Sequence, residues 1–159
     1  RQGQLSSNNH YSGVNETGGV RFRGFGIYDQ FQKPSDELEG GPFEMVLNLV
    51  IEEPIDQIDL DVGLMTSSSV QLFTSSLQCD ELSGATGNHE LRIRVPELYL
   101  APGRYFPYFA VVDKRTLRKT LKFLDPIGFY VSKKVISTGQ LQPTVGLTIG
   151  RKDPVITGA

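Results

Sequence analysis

The most informative part of the sequence reads Leu98-Tyr99-Leu100-Ala101-Pro102-Gly103-Arg104-Tyr105-Phe106-Pro107-Tyr108-Phe109-Ala110-Val111-Val112. Pro102 presets the backbone φ of the first central position of a turn, and Gly103 supplies the positive φ of the second. The residues from Tyr105 to Val112 are all apolar or aromatic, and successive side chains of a strand point to opposite faces. The stretch therefore predicts a turn followed by a long strand. Its inward residues are Tyr105, Pro107, Phe109 and Val111, and its outward residues are Phe106, Tyr108, Ala110 and Val112.

Tyr105 has the position that immunoglobulin-like sandwiches give to a tyrosine at the start of strand F, just after the E–F turn. In that arrangement, called a tyrosine corner, the ring is buried and the hydroxyl bonds to backbone of the turn. We therefore expect Tyr105, Pro102 and Gly103 to form such a corner. A generic Pro-Gly hairpin would have the same residues, so the surrounding strands must decide between the two interpretations.

Several further segments have the length and alternation of strands. The clearest is 58–65, in which Ile58, Leu60, Val62 and Leu64 point one way. Strands are predicted at 20–29, 43–52, 58–65, 70–76, 89–95, 104–113, 127–132 and 144–150. With no long amphipathic helix among them, they predict an all-β protein, an immunoglobulin-like antiparallel sandwich of two sheets.

Four local features carry more specific expectations. Gly24 and Gly26 permit a bulge that resets the alternation of the first strand. Strand 43–52 is apolar on both faces, so it should be central or covered on its second face. Pro107 inside a strand indicates an edge position or a local bulge. In the basic segment 114–122, two leucines lie four residues apart, so a single helical turn is compatible with it.

Composition limits the classes of function. The chain has 159 residues, enough for one domain, and a net charge of −2, which argues against a nucleic-acid partner held by phosphate neutralisation. Its single cysteine, Cys79, excludes an intrachain disulfide and is compatible with a reducing compartment. No run of apolar residues is long enough to span a membrane, and no signal peptide is recognisable. Because the chain begins with Arg1, we expect it to be a piece of a longer protein.

Three regions follow from these patterns. Residues 1–18 are rich in Ser, Asn, Gln and Gly and are predicted to be a linker or flexible arm. Residues 19–132 form the sandwich. Residues 133–159 contain a hinge, a last strand and a tail, and the hinge is long enough for that strand to be exchanged between the subunits of a homodimer.

The order of several short motifs is similar to that of a known family. The motifs are Glu16-Thr17-Gly18-Gly19-Val20-Arg21-Phe22, Ile27-Tyr28-Asp29, Gly41-Pro42-Phe43-Glu44-Met45-Val46-Leu47, Val62-Gly63-Leu64, Val70-Gln71-Leu72-Phe73-Thr74-Ser75, Leu98 to Tyr105, and Phe129-Tyr130-Val131-Ser132. Together they cover about residues 16–132. In this order and spacing the chain resembles the C-terminal carbohydrate-binding domain of Wzt-type nucleotide-binding proteins of O-antigen polysaccharide ABC transporters.

The resemblance implies an immunoglobulin-like domain that dimerises by exchanging C-terminal strands. It implies binding to the modified non-reducing end of an O-antigen polysaccharide, which licenses its export. It also places the domain at the cytoplasmic face of the inner membrane, joined to an ATPase domain and associated with a transmembrane permease. The chain itself has no Gly-x-x-x-x-Gly-Lys-Ser/Thr phosphate loop, so neither ATP hydrolysis nor a cofactor is expected of it.

One predicted outward face has the side chains that sugars require. Aromatic rings cover the C–H side of a sugar, and planar polar groups bind its hydroxyls. Strands 58–65, 104–113 and 127–132 supply both kinds, in Asp59, Asp61, Phe106, Tyr108 and Tyr130, and Gly63 would leave a shallow groove among them. The alternative is that another strand or the partner subunit covers Phe106 and Tyr108.

Other candidate groups lie elsewhere. Arg92 and Arg94 protrude from strand 89–95 and would suit an anionic cap on the glycan, although a solvated strand face explains them too. Asp59 and Asp61 are roughly 7 Å apart by strand rise, a spacing that overlaps that of inverting glycosidases. A glycan-modifying enzyme and a protein-binding or adhesion sandwich therefore stay as alternatives to a glycan-binding module. The two histidines and the cysteine lie in separate segments and predict no metal site.

Overall fold

The computed structural model describes residues 14–39, 41–96, 100–132 and 146–151. Within them the chain forms strands, one 3₁₀ turn at Asp80–Leu82 and no α-helix, which confirms the all-β class. The strands are β1 (Val14–Glu16), β2 (Val20–Tyr28), β3 (Glu37–Leu38), β4 (Phe43–Ile51), β5 (Ile58–Thr66), β6 (Gln71–Gln78), β7 (Gly87–Val95), β8 (Gly103–Asp113), β9 (Arg118–Leu124), β10 (Phe129–Val131) and β11 (Gly146–Arg151).

The strands form two sheets. In the seven-stranded sheet, hereafter the large sheet, β8 pairs with β5 on one side and with β9 and β10 on the other. β6 extends the sheet beyond β5, β1 beyond β9, and β3 beyond β10. The four-stranded sheet, hereafter the small sheet, has the order β11-β7-β4-β2. All pairs are antiparallel except β10 with β3, which is parallel.

The two sheets pack face to face through aromatic side chains. Phe25 of β2 lies 5.3 Å from Phe109 of β8, and Phe43 of β4 lies 5.3 Å from Phe129 of β10, measured between ring centroids. Inward residues of β5 such as Leu60 are fully buried in the same core. Burial of each large apolar side chain contributes roughly 1.5–3 kcal/mol. The antiparallel sandwich predicted from the alternation is confirmed.

Two of the local expectations are confirmed. The register between β2 and β4 shifts between Phe22 and Gly24, so the first strand has a bulge where its glycines predicted one. β4 lies between β2 and β7, so it is central in its sheet as predicted.

The prediction of an edge position for Pro107 is wrong, because β8 is central in the large sheet. Pro107 pairs with Leu64 of β5 on one side. On the other side its carbonyl accepts a 2.9 Å bond from the Asp125 amide, between the end of β9 and the start of β10. Proline has no backbone N–H. At Pro107 that N–H would point to the break between β9 and β10, where no strand residue needs it as a hydrogen-bond partner.

The helical turn considered for residues 114–122 is also wrong. Residues 114–117 are a turn and Arg118–Leu124 is strand β9, with Leu121 fully buried. A register shift between Val111 and Val112 disturbs the alternation of the β8–β9 pair, which hid the strand in the sequence. Residues 118–124 form a strand because the backbone of β8 supplies their hydrogen-bond partners.

Two short strands lie in segments for which the sequence predicted an arm and a loop. β1 belongs to the predicted arm, and it pairs with β9 through Val14–Phe123 and Glu16–Leu121. β3 belongs to the predicted loop at 30–42, and it pairs with β10. Both are only two or three residues long, so their own sequence has no measurable period.

The last predicted strand is present as β11, which pairs with β7 of the same chain. The proposed hinge lies in residues 133–145, which are outside the described residues. Residues 1–13, 97–99 and 152–159 are outside them as well. Strand exchange and the homodimer therefore stay predictions. The described part of the chain has no helix with the length and hydrophobicity needed to cross a bilayer.

Candidate functional site

The turn before β8 has the geometry expected of a tyrosine corner. The Tyr105 hydroxyl donates a 2.6 Å hydrogen bond to the carbonyl oxygen of Ala101, and the residue is 7% exposed. Burial raises the pKa of Tyr105, so the hydroxyl keeps its proton as a donor. Gly103 has a φ of 150°, a conformation in which a side chain would be strained. The corner fixes the start of β8 and with it the direction of the outward side chains that follow.

The structure brings five of the predicted site residues, hereafter the wall residues, onto one face, the outer face of the large sheet. Asp59 and Asp61 lie on β5, Phe106 and Tyr108 on the adjacent β8, and Tyr130 on β10 beyond it. Tyr108 pairs with Gly63, and Tyr130 pairs with Arg104. Phe106 and Tyr108 are half-buried and Tyr130 is 39% exposed, so part of each residue is accessible.

Gly63 does not leave the open groove that the sequence suggested. A Cβ atom at this position would lie 2.7 Å from the carbonyl oxygen of Phe73 and 3.2 Å from Nε2 of Gln71. The Gln71 amide donates a hydrogen bond to Thr74, so polar side chains of β6 lie over the glycine. The space above Gly63 is therefore occupied by the Gln71 amide, and Tyr108 lies beside it.

Asp61 accepts a hydrogen bond, and Asp59 lies in an ion pair with a lysine. The Ser76 hydroxyl donates to Oδ1 of Asp61. The Lys114 ammonium lies 3.8 Å from Oδ2 of Asp59, whose side chain is 19% exposed. Oδ1 of Asp59 is buried without a hydrogen-bond partner among the described residues, which is uncommon for a carboxylate oxygen.

The two arginines lie on the outer face of the small sheet and are not part of this wall. The Arg92 guanidinium donates to Glu44 at 2.8 Å and to Glu90 at 3.3 Å, and it lies 5.7 Å from the centre of the Tyr28 ring. Desolvation lowers the pKa of Arg92, but the bonds and charges of both glutamates outweigh it and leave the pKa raised. Arg94, two residues along β7, is exposed.

Sequence reasoning missed the side chains that β6 and β9 add to the outer face. Lys122 of β9 lies opposite Ala110, on the other side of β8 from Asp61. Leu124, which is 37% exposed, pairs with Tyr108. The exposed lysine between buried Leu121 and Phe123 was the available signal for β9. Among the described residues, no three His, Cys, Asp or Glu side chains are grouped to hold a metal ion.

Comparison with known proteins gives a likeness in structure. No protein-family model and no curated protein matches the chain. Among solved structures it is similar to the one described as the crystal structure of the C-terminal domain of wzt, with a TM-score of 0.64. The match covers 98% of this chain and 93% of that chain. The fold is that of the C-terminal domain of Wzt. Because sequence identity is only 12%, the Wzt-like fold is what the comparison establishes, and it confirms the resemblance read from the motifs.

Proposed function

We propose that this domain is a non-catalytic carbohydrate-binding module that recognises the modified non-reducing end of an O-antigen polysaccharide. Recognition would couple the finished glycan to export by an ABC transporter. The observation that carries the proposal is the likeness to the C-terminal domain of Wzt over 98% of the chain. The accessible aromatic and acidic outer face of the large sheet supports it independently, because it combines the two kinds of group that bind sugars.

In this proposal the glycan binds on the outer face of the large sheet. Phe106, Tyr108 and Tyr130 contact the C–H faces of the sugar rings, and Asp59 and Asp61 accept hydrogen bonds from hydroxyls. Arg94 is the better contact for an anionic cap, because the guanidinium of Arg92 is already bound by Glu44 and Glu90. Because Arg94 lies on the opposite side of the sandwich, such a contact would belong to a second site, separate from the one on the large sheet.

The remaining parts of the proposal rest on the Wzt-like fold. The partners would be the ATPase domain of the same protein and a transmembrane permease, and the domain would work as a homodimer at the cytoplasmic face of the inner membrane. β11 at the edge of the small sheet is the strand that exchange would move, since it has only β7 as a neighbour.

A protein-binding or adhesion sandwich is the second candidate. It is favoured by two apolar side chains at loop tips, Phe31 with 70% exposure and Leu117 with 79% exposure. Both lie in turns and are not among the wall residues, so they would anchor a protein without glycan. A glycan-modifying enzyme is a more distant alternative, and turnover of the polysaccharide that Asp59→Asn abolishes would support it.

Isothermal titration calorimetry with capped and uncapped O-polysaccharide of the encoding bacterium tests the proposal. We expect the capped chain to bind and the uncapped chain to bind more weakly. Failure to bind either, together with binding to a protein partner, would replace our proposal by the second candidate.

A further inference from the structure

Three aromatic side chains follow one another along the outer face of the large sheet. Tyr108 and Phe106 are two residues apart on β8, and Tyr130 lies beside Arg104, two residues further along the same strand. At a rise of about 3.4 Å per residue, each step is roughly 7 Å and the whole row is about 14 Å long. We call Tyr108, Phe106 and Tyr130 the aromatic strip.

The middle of the strip leans toward the gap between β8 and β10. A Cβ atom at Gly128 would lie 2.9 Å from Cδ1 of Phe106 and 2.3 Å from the carbonyl oxygen of Tyr105. Gly128 also has a φ of 75°, so a side chain is excluded there on two grounds. The missing side chain lets the Phe106 ring extend over the backbone toward β10, where Tyr130 follows.

Polar groups border the strip on both sides. On the β5 side are Asp61 with Ser76 and the Gln71 amide beside Gly63. On the β9 side, Lys122 lies beyond Ala110, and at the far end Arg104 donates a 3.0 Å bond to the carbonyl oxygen of Ile127. Leu124, paired with Tyr108 on the β9 side, and Met65, paired with Phe106 on the β5 side, are apolar neighbours of the strip. The surface is therefore a short apolar row with donors and acceptors around it.

This pattern fits a glycan chain better than a protein. A sugar chain has apolar C–H ring faces along its length and hydroxyl groups at its margins, which matches rings flanked by carboxylate, amide and ammonium groups. A stable protein interface needs about 800 Å² on each partner with a broad core depleted of charge. Even with Leu124 and Met65, this surface is about 14 Å long and, at about 4.8 Å between strands, roughly 10 Å wide, which is too small for such a core.

We propose that the aromatic strip binds about three consecutive sugar residues, so that the domain reads a segment of the chain and not a terminal sugar alone. The proposal rests on the carbohydrate-binding function proposed above. Each aromatic ring contacts one sugar ring, because a single pyranose is too short to reach from Tyr108 to Tyr130. A glycan that contacts all three rings must be linear over this length.

Calorimetric titration with fragments of increasing length tests this. The probes are fragments of the encoding bacterium's O-polysaccharide that retain the non-reducing end, prepared by mild acid hydrolysis and separated into lengths of one to five sugars. We expect the dissociation constant to fall about three- to tenfold with each sugar up to three, the range that aromatic contacts provide, and then to stay constant. Tyr130→Ala should stop the gain at two sugars, and so should Tyr108→Ala. Phe31→Ala, which removes an exposed aromatic from a loop outside this face, should retain the gain to three.

The outcomes separate the two proposals. Equal affinity for one and three sugars would refute the extended strip and leave the carbohydrate-binding function standing. A gain up to three sugars that neither tyrosine variant shortens would also refute the strip, because the segment would then be read elsewhere. If neither the fragments nor the intact polysaccharide binds, the carbohydrate-binding function fails and this inference fails with it.

Discussion

At the scale of single residues, the hydrogen bond from Tyr105 to Ala101 joins the turn to the beginning of β8. Tyr105→Phe keeps the buried ring and removes only this bond. We expect the free energy of unfolding to fall by about 1 kcal/mol, measured by urea denaturation, since a buried hydrogen bond contributes that much. Tyr130→Phe, which removes the hydroxyl of a 39% exposed tyrosine, is the control. An unchanged midpoint for Tyr105→Phe would show that the corner bond adds nothing to stability.

Gly63 tests the packing of β5 against β6. Because a Cβ atom would lie 2.7 Å from a backbone oxygen of β6, Gly63→Ala must displace that strand. Overpacking of this kind costs about 1–3 kcal/mol, which thermal unfolding would detect. Gly150→Ala is a matched control, because the nearest atom to its new Cβ is 3.9 Å away. Equal melting temperatures for the two variants would contradict the close approach of β6.

Cys79 predicts a specific dependence of stability on pH. Desolvation by burial, followed by the charge of Asp59, raises the pKa of its thiol from 9.0 to about 12. The unfolded chain therefore loses this proton at a lower pH than the folded chain. The contribution of the protonated thiol to the free energy of unfolding is complete below about pH 9. It is lost as the pH rises toward 12, with a slope of at most about 1.4 kcal/mol per pH unit. Unfolding free energies between pH 8 and 11 should fall less steeply in Cys79→Ala, and parallel curves would contradict the assignment.

At the scale of elements, β11 completes the small sheet by covering the edge of β7. Deleting residues 133–159 removes this strand and the contact that Ile149 makes with the core. We expect the truncated chain to be insoluble or, if β11 is exchanged between subunits, monomeric, because exposed strand edges promote aggregation. Size-exclusion chromatography with light scattering distinguishes these results. A soluble dimer of normal stability would contradict the exchange.

Elements with a local signal were predictable from sequence, and elements stabilised by distant partners were not. The alternation of Ile58 to Met65 and the Pro102-Gly103 turn before Tyr105 are contained within a few residues, and they led to β5, β8 and the corner. β3 depends on β10, about 90 residues later in the chain, and β9 depends on the edge of β8. Neither partner is visible in a window of local sequence.

The candidate site divides in the same way. The common face of the five wall residues was predictable because alternation decides which face a strand residue occupies. The cover over Gly63 depends on a register irregularity between β5 and β6, and the engagement of Arg92 depends on Glu44, 48 residues away in sequence. Alternation indicates a face, but not which side chain of a neighbouring strand lies across it.

At the scale of the whole molecule, the two outer faces of the sandwich differ in the side chains they present. The face of the small sheet carries an arginine already neutralised by two glutamates, whereas the face of the large sheet carries accessible rings bordered by carboxylates. This asymmetry is the reason to place the glycan on the large sheet.

The most direct test of that placement is a calorimetric titration of the intact O-polysaccharide against the unmodified domain, Tyr108→Ala and Phe31→Ala. Tyr108→Ala removes one ring contact from the outer face, so we expect its affinity to fall by roughly three- to tenfold, the range given by a single aromatic contact. Phe31→Ala should bind as the unmodified domain does, and the circular dichroism of all three should be the same. An unchanged affinity for Tyr108→Ala would contradict the account and move the binding site away from this face.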